Sequence, residues 1–92
     1  MVDDLQPNEE LLKFPVLYPI KVVGRRSDTL RASIDAIVRQ HVPELTDEQV
    51  TERASNQKHF VSITYTIIAQ SREQVVALAN ALQASKDVIM LI

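Results

Sequence analysis

Three cations come nearest, by type and spacing, to forming a binding site. Arg25 and Arg26 follow Gly24, the only glycine of the chain, and stand just before a predicted helix. Lys21 belongs to the strand that precedes them. Free N–H groups and the dipole at a helix start attract anions, so a phosphate or a carboxylate could bind to Lys21, Arg25 and Arg26. A solvated basic turn would contain the same residues, and the sequence leaves both interpretations open.

Catalytic and metal-binding patterns are absent from the sequence. His41 and His59 each lack a second ligand at the spacing that a metal site needs. The spacing of the carboxylates pairs no two of them for acid–base work, and one glycine cannot form a phosphate-binding loop. Cysteine is missing altogether, which excludes a thiol nucleophile and a disulfide framework. We therefore predict a protein that is not an enzyme and that uses no metal and no cofactor.

Length and composition predict one globular domain. The chain has 92 residues, 46% hydrophobic and 24% charged, with a net charge of −2. That charge argues against nucleic-acid binding, which usually shows a broad positive field. Residues 1–10 are polar and acidic, so we predict a flexible lead-in followed by a single domain over residues 11–92. The sequence contains no secretory leader and no long apolar run, which predicts a cytoplasmic protein without a membrane partner.

Hydrophobic periodicity predicts six elements in the order βαββαβ. The predicted strands cover residues 17–24, 49–54, 60–70 and 87–92. The first predicted helix covers residues 28–41 and is capped by Ser27 or Asp28, and the second opens at Ser71 in a capping box with Gln74. Two right-handed crossovers place both helices on one side of the sheet. The result is an α+β, ferredoxin-like plait, a four-stranded antiparallel sheet whose first and third strands are central.

The third strand predicts which face of this sheet is left open. Val61, Ile63, Tyr65 and Ile67 alternate with polar residues, so one face is buried and the other is not. The predicted open face carries Lys21, Val23, Phe60, Ser62, Thr64 and Thr66, with Val88 and Met90 or their neighbours at one edge. Uncovered, partly apolar surfaces usually mark interaction sites, and exposed strand edges invite pairing. We expect a protein partner or a homodimer here, although a hydrated face on a monomer is the alternative.

Several segments together carry a family resemblance. They are Leu11-Leu12-Lys13-Phe14-Pro15, Lys21-Val22-Val23-Gly24, Arg39-Gln40-His41-Val42-Pro43, His59-Phe60-Val61-Ser62-Ile63-Thr64 and Val88-Ile89-Met90-Leu91-Ile92. In this order and length the chain resembles the YbeD-like family of small bacterial proteins. The resemblance implies an ACT-like fold, which is typical of small regulatory modules that often bind amino acids and usually act as dimers. The loop that binds ligands in ACT domains tends to hold a Pro-Gly turn, which is missing after Gly24 here.

Three functions follow, in order of preference. The first is a non-enzymatic regulatory module that binds a protein partner or itself through the open face. The second is an ACT-like sensor of an anionic metabolite or amino acid at Lys21, Arg25 and Arg26. The third is RNA binding, because the start of the third strand invites comparison with RNA-recognition domains. Those domains stack bases on two or three aromatic residues, whereas only Phe60 is placed to do so here.

Overall fold

The computed structural model describes residues 13–55, 57 and 59–92. The elements are β1 (Val16–Arg25), α1 (Leu30–His41), a 3-10 turn (Asp47–Gln49), β2 (Val50–Ala54), β3 (Phe60–Ala69), α2 (Arg72–Gln83) and β4 (Val88–Leu91). The predicted lead-in over residues 1–10 lies outside the described residues, as does most of the hairpin turn predicted at residues 56–58. No described helix is long and apolar enough to cross a membrane.

The sheet has the strand order β2-β3-β1-β4, and every neighbouring pair is antiparallel. The prediction that the first and third strands are central is therefore confirmed, as is the ferredoxin-like plait. Pro19 is compatible with a central strand because of where β4 stops. Lys21 exchanges backbone hydrogen bonds of 3.3 and 2.8 Å with Ile92. The backbone nitrogen of Pro19, two residues earlier, is directed to the same edge of β1 but lies past the Lys21–Ile92 hydrogen bonds. Its missing N–H therefore removes no hydrogen bond between β1 and β4.

One side of the sheet and both helices form the core. β3 contributes the predicted alternate residues, and the helices contribute a stripe each; the fully or nearly buried members are Val61, Ile63, Tyr65, Ile67, Leu30, Ile34, Val38, Leu78 and Leu82. Because these side chains pack in one cluster, α1 and α2 cover the same face of the sheet. No described helix covers the opposite face.

The two helix starts differ in how well they were predicted. Ser71 caps α2 as expected, since its hydroxyl accepts a 3.1 Å hydrogen bond from the Gln74 backbone N–H. The predicted cap of α1 at Ser27 or Asp28 is wrong, because the helix begins at Leu30 after Thr29 and no side chain caps it. The chain stays with the sheet for longer than predicted: the Arg26 N–H donates to the carbonyl of His59 at 3.0 Å.

Gly24 allows three elements to meet at one point. A Cβ added there would lie 2.8 Å from the backbone oxygen of Asp87 and 2.8 Å from a methyl carbon of Leu30. Its φ angle is not positive, so a close approach and not a left-handed turn explains the glycine. The β1–β4 register shifts between Val23 and Gly24, which marks a bulge at the same place.

Candidate functional site

The open face is the surface of the sheet opposite the helices. Strand parity and register assign to it Leu17, Pro19, Lys21, Val23 and Arg25 of β1, Phe60, Ser62, Thr64, Thr66 and Ile68 of β3, Thr51 and Arg53 of β2, and Met90 of β4. Lys21 lies opposite Thr64, and Val23 opposite Ser62. The six predicted residues of this face therefore come together on one surface.

The bulge in β1–β4 changes the edge of the open face. Met90 pairs with Val23 and is 51% exposed, as expected of a residue on this face. Val88 instead pairs with Gly24 and packs against the core. Of the predicted edge residues, Val88 and Met90 or their neighbours, Met90 therefore lies on the open face and Val88 does not, because the extra residue at the bulge reverses the alternation.

The charges on the open face have one sign. Lys21, Arg25 and Arg53 are its charged residues, and no strand position of the face holds a carboxylate. Glu52 points to the other side of β2, where its carboxylate accepts a 3.1 Å hydrogen bond from Arg31. A chain whose net charge is −2 thus presents a cationic sheet surface.

Two adjoining hollows lie on the open face. The first has a volume of about 260 Å³ and is lined mainly by polar residues, namely Lys21, Thr51, Glu52, Arg53, Ser62 and Thr64, of which Glu52 directs its carboxylate away from the open face to Arg31. The second has about 150 Å³ and is more apolar, with Val23, Arg53, Ala54, Ser55, Phe60, Val61 and Ser62 around it. Arg53 and Ser62 line both. The Arg25 guanidinium carbon lies 5.8 Å from the centre of the Phe60 ring, within the range of a cation–π contact.

The predicted anion site is not assembled as one cluster. Lys21 and Arg25 share the open face, but they are four positions apart on β1, a distance of about 13 Å. Arg26 lines a different hollow of about 340 Å³, together with the core-side residues Val61 and Ile63 and the start of α1. Successive residues of an extended chain alternate between faces, so Arg25 and Arg26 diverge. The three cations therefore do not surround a common ligand.

The two histidines have separate structural surroundings. The His41 Nδ1 lies 3.1 Å from the carbonyl oxygen of Ile37, and the His41 carbonyl accepts a 2.8 Å hydrogen bond from Gln74. His59 is exposed, and its ring meets that of Phe60 edge-on at 6.5 Å. Among the described residues, no three His, Cys, Asp or Glu side chains come close enough together to hold a metal ion.

Sequence reasoning missed a polar cluster beneath the sheet. The buried hydroxyl of Tyr65 donates to Asp35 at 2.5 Å, and Arg31 Nε lies 3.0 and 2.9 Å from the two Asp35 oxygens. Burial raises the pKa of Tyr65, and the hydrogen bond to Asp35 raises it further. Burial by itself lowers the pKa of Arg31, but its hydrogen bonds to Asp35 and Glu52 outweigh that effect and raise it. Since Tyr65 is fully buried, the cluster ties β3, α1 and β2 together and offers no phenol to a substrate.

Arg53 and Thr51 were also missed as members of the open face. The sequence indicates a short polar strand there but contains no sign of its register. The pairing of Arg53 with Ser62 and of Thr51 with Thr64 assigns them. The alternation of β3, extended across the hairpin, is the signal that could have found them.

Solved structures with a similar fold are ACT-like. The ACT domain from GTP pyrophosphokinase of Chlorobium tepidum superimposes with a TM-score of 0.66 at 13% identity, covering 84% of this chain and 83% of that one. Protein HP0495 from H. pylori gives a TM-score of 0.68 at 11% identity and covers 96% of both chains. At these identities the likeness shows the fold alone.

Sequence relatives are closer. A UPF0250 protein of Shewanella loihica is 42% identical over 79 residues, which span 86% of this chain and 88% of the relative. A UPF0250 protein of Janthinobacterium sp. is 35% identical over 83 residues, or 90% and 91% of the two chains. The family described as "Protein of unknown function (DUF493)" matches residues 9–92. These matches confirm the predicted resemblance to a family of small bacterial proteins, and the chain belongs to the DUF493 family, whose relatives carry the name UPF0250.

Proposed function

We propose that this chain is a non-enzymatic interaction module that binds a protein partner through the open face. The observation that carries the proposal is the set of apolar side chains that this uncovered surface exposes. Leu17 is 65% exposed, Met90 51%, Ile68 44% and Phe60 39%. Leu17 and Ile68 are paired at one end of the face, and Phe60 and Met90 lie towards the other end. Exposed apolar groups of this kind often mark an interaction site, because covering them removes apolar area from water.

The test compares two matched substitutions of exposed apolar residues. Phe60→Glu puts a charge on the open face, whereas Val76→Glu puts the same charge on α2, where Val76 is 48% exposed. Proteins captured from a bacterial extract by the parent chain are identified, purified and titrated against all three chains. We expect Phe60→Glu to weaken binding about tenfold or more and Val76→Glu to leave it unchanged. Equal affinities of all three chains would overturn the proposal. If the partner is a second copy of the chain, light scattering on the parent chain detects the dimer.

A small-molecule sensor is the second candidate function. The observation that favours it is the hollow of about 340 Å³ beside the start of α1, lined in part by Arg26, Ser27 and Asp28. One structural neighbour is an ACT domain of a GTP pyrophosphokinase, and this likeness adds support at the level of fold only.

The two arginines separate the two candidates experimentally, because they lie on different faces. The parent chain is screened by thermal shift against amino acids and phosphorylated metabolites. For a sensor we expect a ligand at a hundred times its Kd to raise the melting temperature by roughly 10 °C. Arg26→Ala would abolish that shift and Arg25→Ala would keep it. A flat screen, or a shift that survives Arg26→Ala, would count against a sensor at this hollow.

A further inference from the structure

We infer that the open face binds an extended, acidic segment of its partner, in which a carboxylate and an apolar side chain stand two residues apart. This inference rests on the proposed function and adds the chemistry of the partner. It follows from three features of the open face: the sign of its charges, the polarity of its two hollows and the distance between them.

The first hollow suits a carboxylate. Lys21 and Arg53 stand on its border, and the hydroxyl residues Thr51, Ser62 and Thr64 line it between them. Lysine and arginine side chains only donate hydrogen bonds, and hydroxyl groups can donate them as well. A carboxylate that enters this hollow therefore finds charge-assisted hydrogen-bond partners. Glu52 is the acidic residue among those that line this hollow, and its carboxylate is already bound to Arg31 on the other side of β2.

The second hollow suits an apolar side chain. Val23 and Phe60 lie on it, and the Arg25 guanidinium beside the Phe60 ring extends the cationic border of the face. Lys21 and Val23 are two residues apart on β1, as are Thr64 and Ser62 on β3. The residues that line the second hollow therefore lie about two positions further along the strands, an offset of roughly 7 Å. An extended chain advances by the same distance over two residues, so one face of it delivers a carboxylate and an apolar group in register.

The same features disfavour two other occupants. A second copy stacked face to face would bring two cationic surfaces together, and like charges at an interface cost affinity. RNA would require stacking on two or three aromatic residues, whereas Phe60 is the aromatic residue of this face. A partner that combines negative charge with apolar side chains matches both halves of the surface.

The experiment titrates the full, isotope-labelled chain by NMR with a defined probe. The probe is an acetylated heptapeptide with the sequence glutamate, serine, leucine, serine, glutamate, serine, leucine. Two control peptides replace both glutamates by glutamine or by lysine. We expect shifts confined to the open face, centred on Lys21, Val23, Arg53, Phe60 and Ser62. We also expect at least about tenfold tighter binding of the glutamate peptide than of the glutamine peptide, weakening as salt is added.

A charge swap makes the test specific. The double variant Lys21→Glu and Arg53→Glu should lose the glutamate peptide and bind the lysine peptide instead, with a dispersed spectrum showing that it folds. Lys86→Glu changes the charge of an exposed residue just before β4 and should bind like the parent. Lack of binding, equal binding of glutamate and glutamine peptides, or shifts on the helices would overturn the inference. So would tighter binding of a uridine oligonucleotide, or shifts at the same residues on self-association. A Phe60-dependent partner together with a silent glutamate peptide would leave the proposed function standing and remove only the acidic segment.

Discussion

Tyr65 illustrates how one side chain can determine the packing of a small core. Its ring is fully buried in the centre of β3, and burying an unpaired hydroxyl would cost stability. The hydrogen bond to Asp35 satisfies that hydroxyl, and Arg31 in turn neutralises Asp35. Alternation along β3 predicted that Tyr65 is buried. It could not predict the partner, because Asp35 is 30 residues away and reaches Tyr65 only after α1 has packed on the sheet.

Removing that hydroxyl should destabilise the fold. Tyr65→Phe keeps the ring and deletes the donor, so we expect the free energy of unfolding at pH 7.5 to fall by about 1–2 kcal/mol. Urea titration followed by circular dichroism measures the change. Tyr18→Phe is the control, since Tyr18 belongs to the same side of the sheet but is only partly buried. An equal, small effect of both substitutions would contradict a role for the Tyr65–Asp35 bond.

The same hydroxyl should make stability depend on alkaline pH. The pKa of Tyr65 is raised above the ordinary tyrosine value of 10.0, so the folded chain keeps a proton that the unfolded chain releases. Its stabilising contribution is therefore complete below pH 10 and is lost as pH rises beyond it. Between pH 10 and 11 we expect the parent to lose about 1 kcal/mol more than Tyr65→Phe, which has no proton to hold. Urea titrations of both chains from pH 8 to 11 test this, and parallel curves would refute it.

At the scale of elements, local signals proved reliable where the residue and its partner are close in sequence. The capping sequence at Ser71 predicted the start of α2, and alternation predicted both faces of β3. The predicted start of α1 was wrong because a long-range hydrogen bond from Arg26 to His59 holds the chain to the sheet. Arg25 and Arg26 were grouped by adjacency, but extended backbone directs them to different surfaces. The edge at Val88 depends on a bulge that leaves no sign in its own segment.

The two helix starts provide a matched pair of substitutions. Ser71→Ala removes the hydroxyl that accepts from Gln74, so we expect a loss of about 1 kcal/mol. Thr29→Ala changes the residue at the same position of α1, where no side chain caps the helix, and should cost only a few tenths of that. Chemical denaturation of both variants measures the loss in the free energy of unfolding. Similar losses would mean that the Ser71 hydroxyl is not what stabilises the start of α2.

Gly24 lies where β1, the start of α1 and the residue just before β4 approach one another closely. Gly24→Ala adds a methyl group that would lie 2.8 Å from the backbone oxygen of Asp87 and 2.8 Å from Leu30. Since a backbone oxygen cannot move without shifting the loop before β4, we expect a loss of about 1–3 kcal/mol. Thermal unfolding measures it, with Lys21→Ala as the control from the open face of the same strand. A Gly24→Ala chain as stable as the parent would show that this junction yields easily.

On the scale of the whole molecule, the two faces of the sheet differ in burial and in charge. The helix side holds the core and the Tyr65 cluster, including the carboxylates of Asp35 and Glu52. The open side holds Lys21, Arg25 and Arg53 without a carboxylate at its strand positions. The net charge of −2 averages over these surfaces and conceals the cationic one. Composition predicts a single domain, but it could not indicate the sign of the charge on the open face.

Neighbouring residues of β3 test that difference directly. Thr64→Lys adds a charge to the open face, where the long side chain can extend into water, so we expect a change in stability within about 1 kcal/mol. Ile63→Lys places the same charge in the core, where Ile63 is 1% exposed, and should unfold the chain. Circular dichroism and thermal unfolding of the two variants measure the difference. If Thr64→Lys unfolded the chain as Ile63→Lys does, the open face would contribute to the stability of the fold. The effects of substitutions on this face could then no longer be interpreted as effects on binding alone.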